Sequence, residues 1–166
     1  MAILNIPIAS SPTSGSIFFR YRTTDGTPDE QNRFFRVSEA TDAASILTAY
    51  HRTDGNIRAF HGSSYATSST TPFSGDNTIY AVWIDYVLAT GAGNDGTVSI
   101  YVATISDPTA APPSKPGSPV VSVTGGTSLA SVPPTMLQLR AGESGSIEHH
   151  YDQVLINGTT IGDVCQ

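Results

Sequence analysis

The feature that most constrains this chain is a two-residue alternation of apolar and polar side chains, confined to short runs that Gly, Pro, Asn, Asp and Ser interrupt. A period of two sends successive side chains to opposite faces of an extended backbone, so each run is a half-buried strand, and many such runs predict a sandwich or barrel. Ser16–Thr23 carries Ile17, Phe19 and Tyr21 on one face, the core face, and Phe18, Arg20 and Arg22 on the other. Further strands are expected at 32–38, 45–52, 56–61, 78–90, 97–105, 120–124, 136–140 and 150–156, and no segment reads as a helix. Asp54-Gly55 closes a hairpin between 45–52 and 56–61, because that dipeptide tolerates the positive φ of a tight turn. The turn-rich stretch 91–96 closes a second hairpin between 78–90 and 97–105. Five prolines between Asp107 and Pro119 favour extended backbone without a ladder and predict a long surface loop. Neither side of that loop carries a complete set of strands, so residues 1–166 are read as one domain, with residues 1–12 as an N-terminal arm able to add to a neighbour's edge strand.

Charge narrows the partners. Only 13% of residues are charged, against about 25% in ordinary soluble domains, and the surface is rich in Ser, Thr and Gly. The net charge is −6 and Lys115 is the only lysine, so the linear sequence shows no basic stripe and nucleic acid is not an expected partner. No apolar run is long enough to span a membrane as a helix. The first residues lack the basic and apolar regions of a signal peptide, so the chain is read as made in the cytosol or as a trimmed piece; the expected location, a virion or extracellular surface, is reached without a recognisable secretion signal. The single cysteine, Cys165, is read as an inert terminal thiol.

Three segments together, Tyr80–Gly91, Asp95–Val102 and Tyr151–Gly162, resemble the late strands of concanavalin A-like and laminin-G-like jelly rolls. The resemblance implies an all-β, two-sheet antiparallel β-sandwich in which the terminal strand returns beside the first, and a face or loop rim that binds glycans. The proline-rich insertion departs from the family's pattern.

Glycan binding needs exposed aromatic rings for the apolar faces of sugars and polar side chains for their hydroxyls, and Tyr50, Arg58, Tyr65, Tyr86 and Tyr101 supply both. Trp83, alone in mid-strand, is assigned to the core. No cofactor is required; calcium is the metal the residue types suit, with oxygen ligands from Asp25, Asp29, Glu30, Asp95 and Asp152, although their spacing is not diagnostic. His51, His61, His149 and His150 are assigned to hydrogen-bonded or solvent-facing roles, since adjacent histidines on a strand point apart. The Glu-x-Asp-x-x-Glu run of jelly-roll glycoside hydrolases is absent, and Glu148–Asp152 reads as a turn into the last strand. Asn157-Gly158-Thr159 matches a glycosylation sequon but is read as a turn. The leading expectation is therefore a non-enzymatic binding or structural module: a capsid-decoration or tail-associated protein of a bacteriophage that self-associates as a homo-oligomer or virion lattice and adheres to cell-surface glycan. The alternatives are a carbohydrate-binding module of a secreted polysaccharide-degrading enzyme, and a glycoside hydrolase or polysaccharide lyase with an atypical site.

Overall fold

The computed structural model describes residues 3–8, 13–28, 31–38, 45–89, 93–107, 109–126, 135–140, 148–156 and 159–160. Within them the alternating runs become β1 (Ile3–Pro7), β2 (Ser14–Thr23), β3 (Asn32–Ser38), β4 (Ser45–His51), β5 (Ile57–His61), β6 (Ser64–Thr67), β7 (Ile79–Val87), β8 (Gly96–Ile105), β9 (Val121–Gly126), β10 (Met136–Arg140), β11 (His149–Ile156) and β12 (Thr159–Thr160). They form two six-stranded antiparallel sheets, ordered β1-β10-β3-β4-β5-β6 (sheet A) and β12-β11-β2-β7-β8-β9 (sheet B), a jelly-roll β-sandwich. The closing strand β11 lies beside β2, and the β4–β5 and β7–β8 hairpins form where turn residues call for them. Gly55 takes φ +74°, with its N–H donating to the Arg52 carbonyl at 3.0 Å.

Two elements differ from expectation. Ile3–Pro7, within the expected arm, is an edge strand that pairs along its length with β10 of the same chain, because Leu4 and Ile6 oppose Leu139 and Leu137 and extend the apolar face inward. The short β6 follows β5 directly, too brief for its period to register in the sequence. Residues 106–107 and 109–120 form no strand and are mostly exposed.

The inner faces interlock as period two dictates. Ile17, Phe19 and Tyr21 of β2 and Tyr80, Val82, Ile84 and Tyr86 of β7 meet Leu47 and Ala49 of β4, Ile57 and Ala59 of β5, and Leu137 and Leu139 of β10. Phe73, from the β6–β7 connection, plugs one end among Tyr21, Phe34, His51 and Tyr80, with ring centroids 4.7–5.4 Å apart. Polar ties cross the layer, where each buried polar group needs a partner. The Tyr151 hydroxyl lies 2.7 Å from the Phe34 carbonyl and 2.8 Å from that of Arg140. His61 Nε2–H donates to the Val87 carbonyl at 3.1 Å, and His149 Nδ1–H to the Arg140 carbonyl at 3.1 Å. His61 fits only because Gly96 and Gly126 face it: a Cβ on either would stand 2.5 or 2.3 Å from its ring.

Candidate functional site

The outer face of sheet A follows from its register. One row crosses all six strands, Asn5–Gln138–Arg36–Thr48–Phe60–Tyr65, and a second runs Arg33–Tyr50–Arg58–Thr67 from β3 to β6. Arg33 and Arg36 share this face because a bulge between Arg33 and Phe35 inserts one residue, turning both Phe34 and Phe35 into the core. The Arg36 Nη1 donates to Gln138 Oε1 at 3.1 Å, and Gln138 Nε2 to Asn5 Oδ1 at 2.9 Å, a chain of polar side chains across three strands. Over β4 to β6 the face turns aromatic. Phe60 stands between Tyr50 and Tyr65, with centroids 5.7 and 5.5 Å away. The Arg58 guanidinium sits 5.4 Å over the Tyr65 ring, and its Nε donates to Thr67 Oγ1 at 3.3 Å. Tyr65 is 62% exposed, the most exposed large apolar side chain among the described residues, whereas Tyr50, Arg58 and Phe60 are half-buried. The result is a strip of rings around the half-buried Arg58, bordered by a buried amide and guanidinium array, suited to holding a ligand with apolar faces and hydroxyl edges.

The outer face of sheet B is built differently. Leu155, Phe18, Trp83 and Tyr101 oppose one another across β11, β2, β7 and β8. The proline-rich segment lies over them. The Ala110 carbonyl accepts from Arg20 Nη2, Lys115 Nζ pairs with Asp85 at 2.6 Å and sits 4.8 Å over the Tyr101 ring, and Pro112 closes a shallow hollow of about 330 Å³ with Ser16, Phe18, Trp83 and Leu155. Trp83 is thus not in the sandwich core: Tyr80, Val82, Ile84 and Tyr86 point inward, so an odd-numbered residue of β7 points out.

Of the five expected glycan residues, Tyr50, Arg58 and Tyr65 are neighbours on sheet A, and Phe60, which sequence reasoning passed over, completes them. Tyr86 is a correction: it is 2% exposed within the core, and burial raises its phenol pKa. Tyr101 is not brought together with these three, for it lies on the outer face of sheet B, with the sandwich between it and Tyr50. Of the calcium residues, the three that are described, Asp25, Asp95 and Asp152, do not converge. Asp25 accepts from the Thr27 N–H at 2.8 Å in a local turn beyond β2, Asp152 accepts from its neighbour Gln153 at 2.8 Å within β11, and Asp95 precedes β8 at the opposite end of the sheet from Asp25. Asp29 and Glu30 lie outside the described residues, as do Cys165 and Asn157-Gly158. Among the described residues no group of three His, Cys, Asp or Glu side chains is placed to hold a metal. His51, His61 and His149 are buried, while His150 approaches Glu148 at 3.4 Å.

No protein-family model matches the chain, and no curated protein is similar enough in sequence to match. Solved structures do resemble it. An alginate lyase, Aly36B, superposes with a TM-score of 0.58 at 14% identity over 96% of this chain and 75% of its own. A Trypanosoma rangeli sialidase in complex with the inhibitor DANA gives 0.53 at 13% identity over 94% of this chain, which spans 24% of the sialidase. The galectin LEC-6 of Caenorhabditis elegans gives 0.49 at 17% identity over 94% and 91%. At these identities the likeness to the first two shows the jelly-roll fold.

Proposed function

We propose that this protein is a non-catalytic carbohydrate-binding β-sandwich whose ligand lies across the outer face of sheet A. The observation that carries the reading is the contiguity of Tyr50, Phe60 and Tyr65 with Arg58 and with the hydrogen-bonded Arg36–Gln138–Asn5 chain. Rings stack on the C–H faces of pyranoses, and the Arg58 guanidinium, held by Thr67 and the Tyr65 ring, reads the ring substituents, while the Arg36–Gln138–Asn5 chain stiffens the sheet beside them. Hydrolysis of a glycoside by the usual route takes a pair of carboxylates flanking the bond, and none of the six strands of sheet A carries Asp or Glu. The alginate lyase of the same fold supports the reading, because it acts on a polysaccharide. The setting for such a module is a surface that meets polysaccharide, a virus particle or a secreted degrading enzyme.

A panel of immobilised polysaccharides tests this. Wild-type protein is expected to bind at least one, with reducing ends not increasing over time. Tyr65→Ala and Phe60→Ala are expected to lose most of that binding, and Trp83→Ala to keep it. Binding that survives both sheet A variants but fails in Trp83→Ala would move the site to sheet B and refute the assignment.

A further inference from the structure

Phe18, Ala81 and Ile105, with Ile79, Trp83 and Leu155 packed against them, form a second apolar cluster on the outer face of sheet B, where an antiparallel sheet ordinarily turns polar side chains to water. The proline-rich segment crosses this cluster without filling it. On one side of Pro112 the segment is tied down by Arg20, whose guanidinium donates to the Ala110 carbonyl. On the other side it is tied by Lys115, whose ammonium lies 2.6 Å from Asp85 and 4.8 Å from the centre of the Tyr101 ring. Between the two ties stand Pro112 and Pro113, whose fixed φ stiffens the span and keeps it from settling onto the sheet. The hollow of about 330 Å³ that Pro112 closes is thus held open, and the Phe18 and Trp83 rings that line it lie 5.3 Å apart at an angle of 48°.

We propose that this hollow is a second binding site, on the face opposite the glycan strip, and that its ligand is an uncharged aromatic molecule of one or two fused rings. The lining sets the class. Phe18, Trp83, Pro112 and Leu155 offer carbon, and the polar side chains around them are already engaged: Asp85 accepts from Ser16 at one oxygen and from Lys115 at the other, while Arg20 is spent on the backbone of the segment. An ionic ligand would lose its hydration there for no new partner, and so would a sugar with its ring of hydroxyls. A flat uncharged ring loses little on leaving water and gains tilted contacts with both aromatic side chains. The space suffices, since small-molecule sites begin at roughly 300 Å³ and an apolar cavity of about 150 Å³ already takes benzene. The site is preorganised as well, because the two ties and the two prolines hold the segment in place before a ligand arrives.

Trp83 is the only tryptophan, so one indole N–H resonance of the labelled full chain reports on the hollow directly. That resonance is followed at neutral pH during titration with 2-naphthol, with 2-naphthoate as the charged ring of the same shape, and with methyl glucoside as a lone sugar. Calorimetry supplies affinity and stoichiometry. 2-Naphthol is expected to saturate the shift at one molecule per chain, 2-naphthoate to bind roughly tenfold or more weakly, and methyl glucoside to leave the resonance in place. Trp83→Leu is expected to lower 2-naphthol affinity roughly tenfold by calorimetry, as removal of one of two aromatic walls predicts, and Tyr65→Ala to leave it unchanged. Thermal melts confirm that each variant is folded, and Phe18→Leu replaces Trp83→Leu if the latter is not. No saturable shift with 2-naphthol, or an affinity untouched by the hollow variants, would overturn the site. 2-Naphthoate binding as tightly as 2-naphthol, or saturation by methyl glucoside, would overturn the ligand class. None of these results bears on the glycan reading of sheet A, which the polysaccharide panel tests separately.

Discussion

Acidification should destabilise this protein before its carboxylates are neutralised, and the cause lies in two buried histidines. His149 of β11 packs edge-on against Tyr21, with centroids 5.3 Å apart, and 6.4 Å from the ring of His51 on the facing sheet. Each ring spends one N–H on a carbonyl, Arg140 for His149 and Gly26 for His51, and the other nitrogen is buried with no acceptor in reach. A proton there would place charge in an aromatic layer beside a second imidazole. Burial first, then the neighbouring His51, holds the His149 pKa down at about 4 from 6.5, and burial lowers that of His51 in the same direction. Between these values the unfolded chain takes up protons that the native chain refuses. Stability is therefore whole above pH 6.5 and falls as the pH drops toward 4. At about 1.4 kcal/mol per unit, His149 alone removes about 3 kcal/mol across that window, and His51 adds to the loss. Asp54 and Asp107, whose pKa values are depressed by hydrogen bonds from Arg52 and Thr109 respectively, begin to cost stability only below 3.8, at the foot of the window. Urea denaturation at intervals between pH 7.5 and 4.5 measures the slope. His149→Gln, which can keep the N–H to the Arg140 carbonyl without a titrating ring, is expected to flatten most of it. A wild-type curve that stays level over this range, or a His149→Gln curve as steep as wild type, would refute the account.

Three further outcomes follow from the same geometry. Tyr151→Phe removes the hydroxyl that reaches both the Phe34 and Arg140 carbonyls and should cost about 1–3 kcal/mol in equilibrium unfolding. Gly126→Ala drives a methyl into the His61 ring and should cost about 1–3 kcal/mol, visible as a lower melting temperature, whereas Gly117→Ala, in open space, should cost little. Tyr65→Ala should leave the melting temperature unchanged while weakening oligosaccharide binding about tenfold, as loss of an exposed stacking ring predicts.

The strands were legible because alternation is local: β3, β8 and β10 fall within a residue of where period two puts them. The same parity, followed strictly, places Trp83 outside, since its even-numbered neighbours form the inward set, whereas its lone position in mid-strand points to the core. What no local pattern carries is the order in which strands lie side by side. Gln138 and Asn5 are 133 positions apart in the chain, and their hydrogen bond exists because β10 enters sheet A between β1 and β3. That Arg33, Arg36 and Arg58 share one face is hidden for the same reason, since they lie apart in the sequence and are aligned only by strand order and register. Arg33 and Arg36 are a sharper case: three residues apart, they should face opposite ways, and the bulge that aligns them has no sequence mark beyond the paired phenylalanines it buries. Tyr86 shows the converse, an aromatic residue chosen for its chemistry that parity should have sent inward.

The most direct measurement is residue-resolved NMR of the labelled protein titrated with alginate oligosaccharides. The account predicts saturable shifts that cluster at Arg33, Tyr50, Arg58, Phe60 and Tyr65. Shifts gathered instead around Trp83, Tyr101 and the proline-rich segment, or no shifts with any acidic or neutral oligosaccharide, would contradict it.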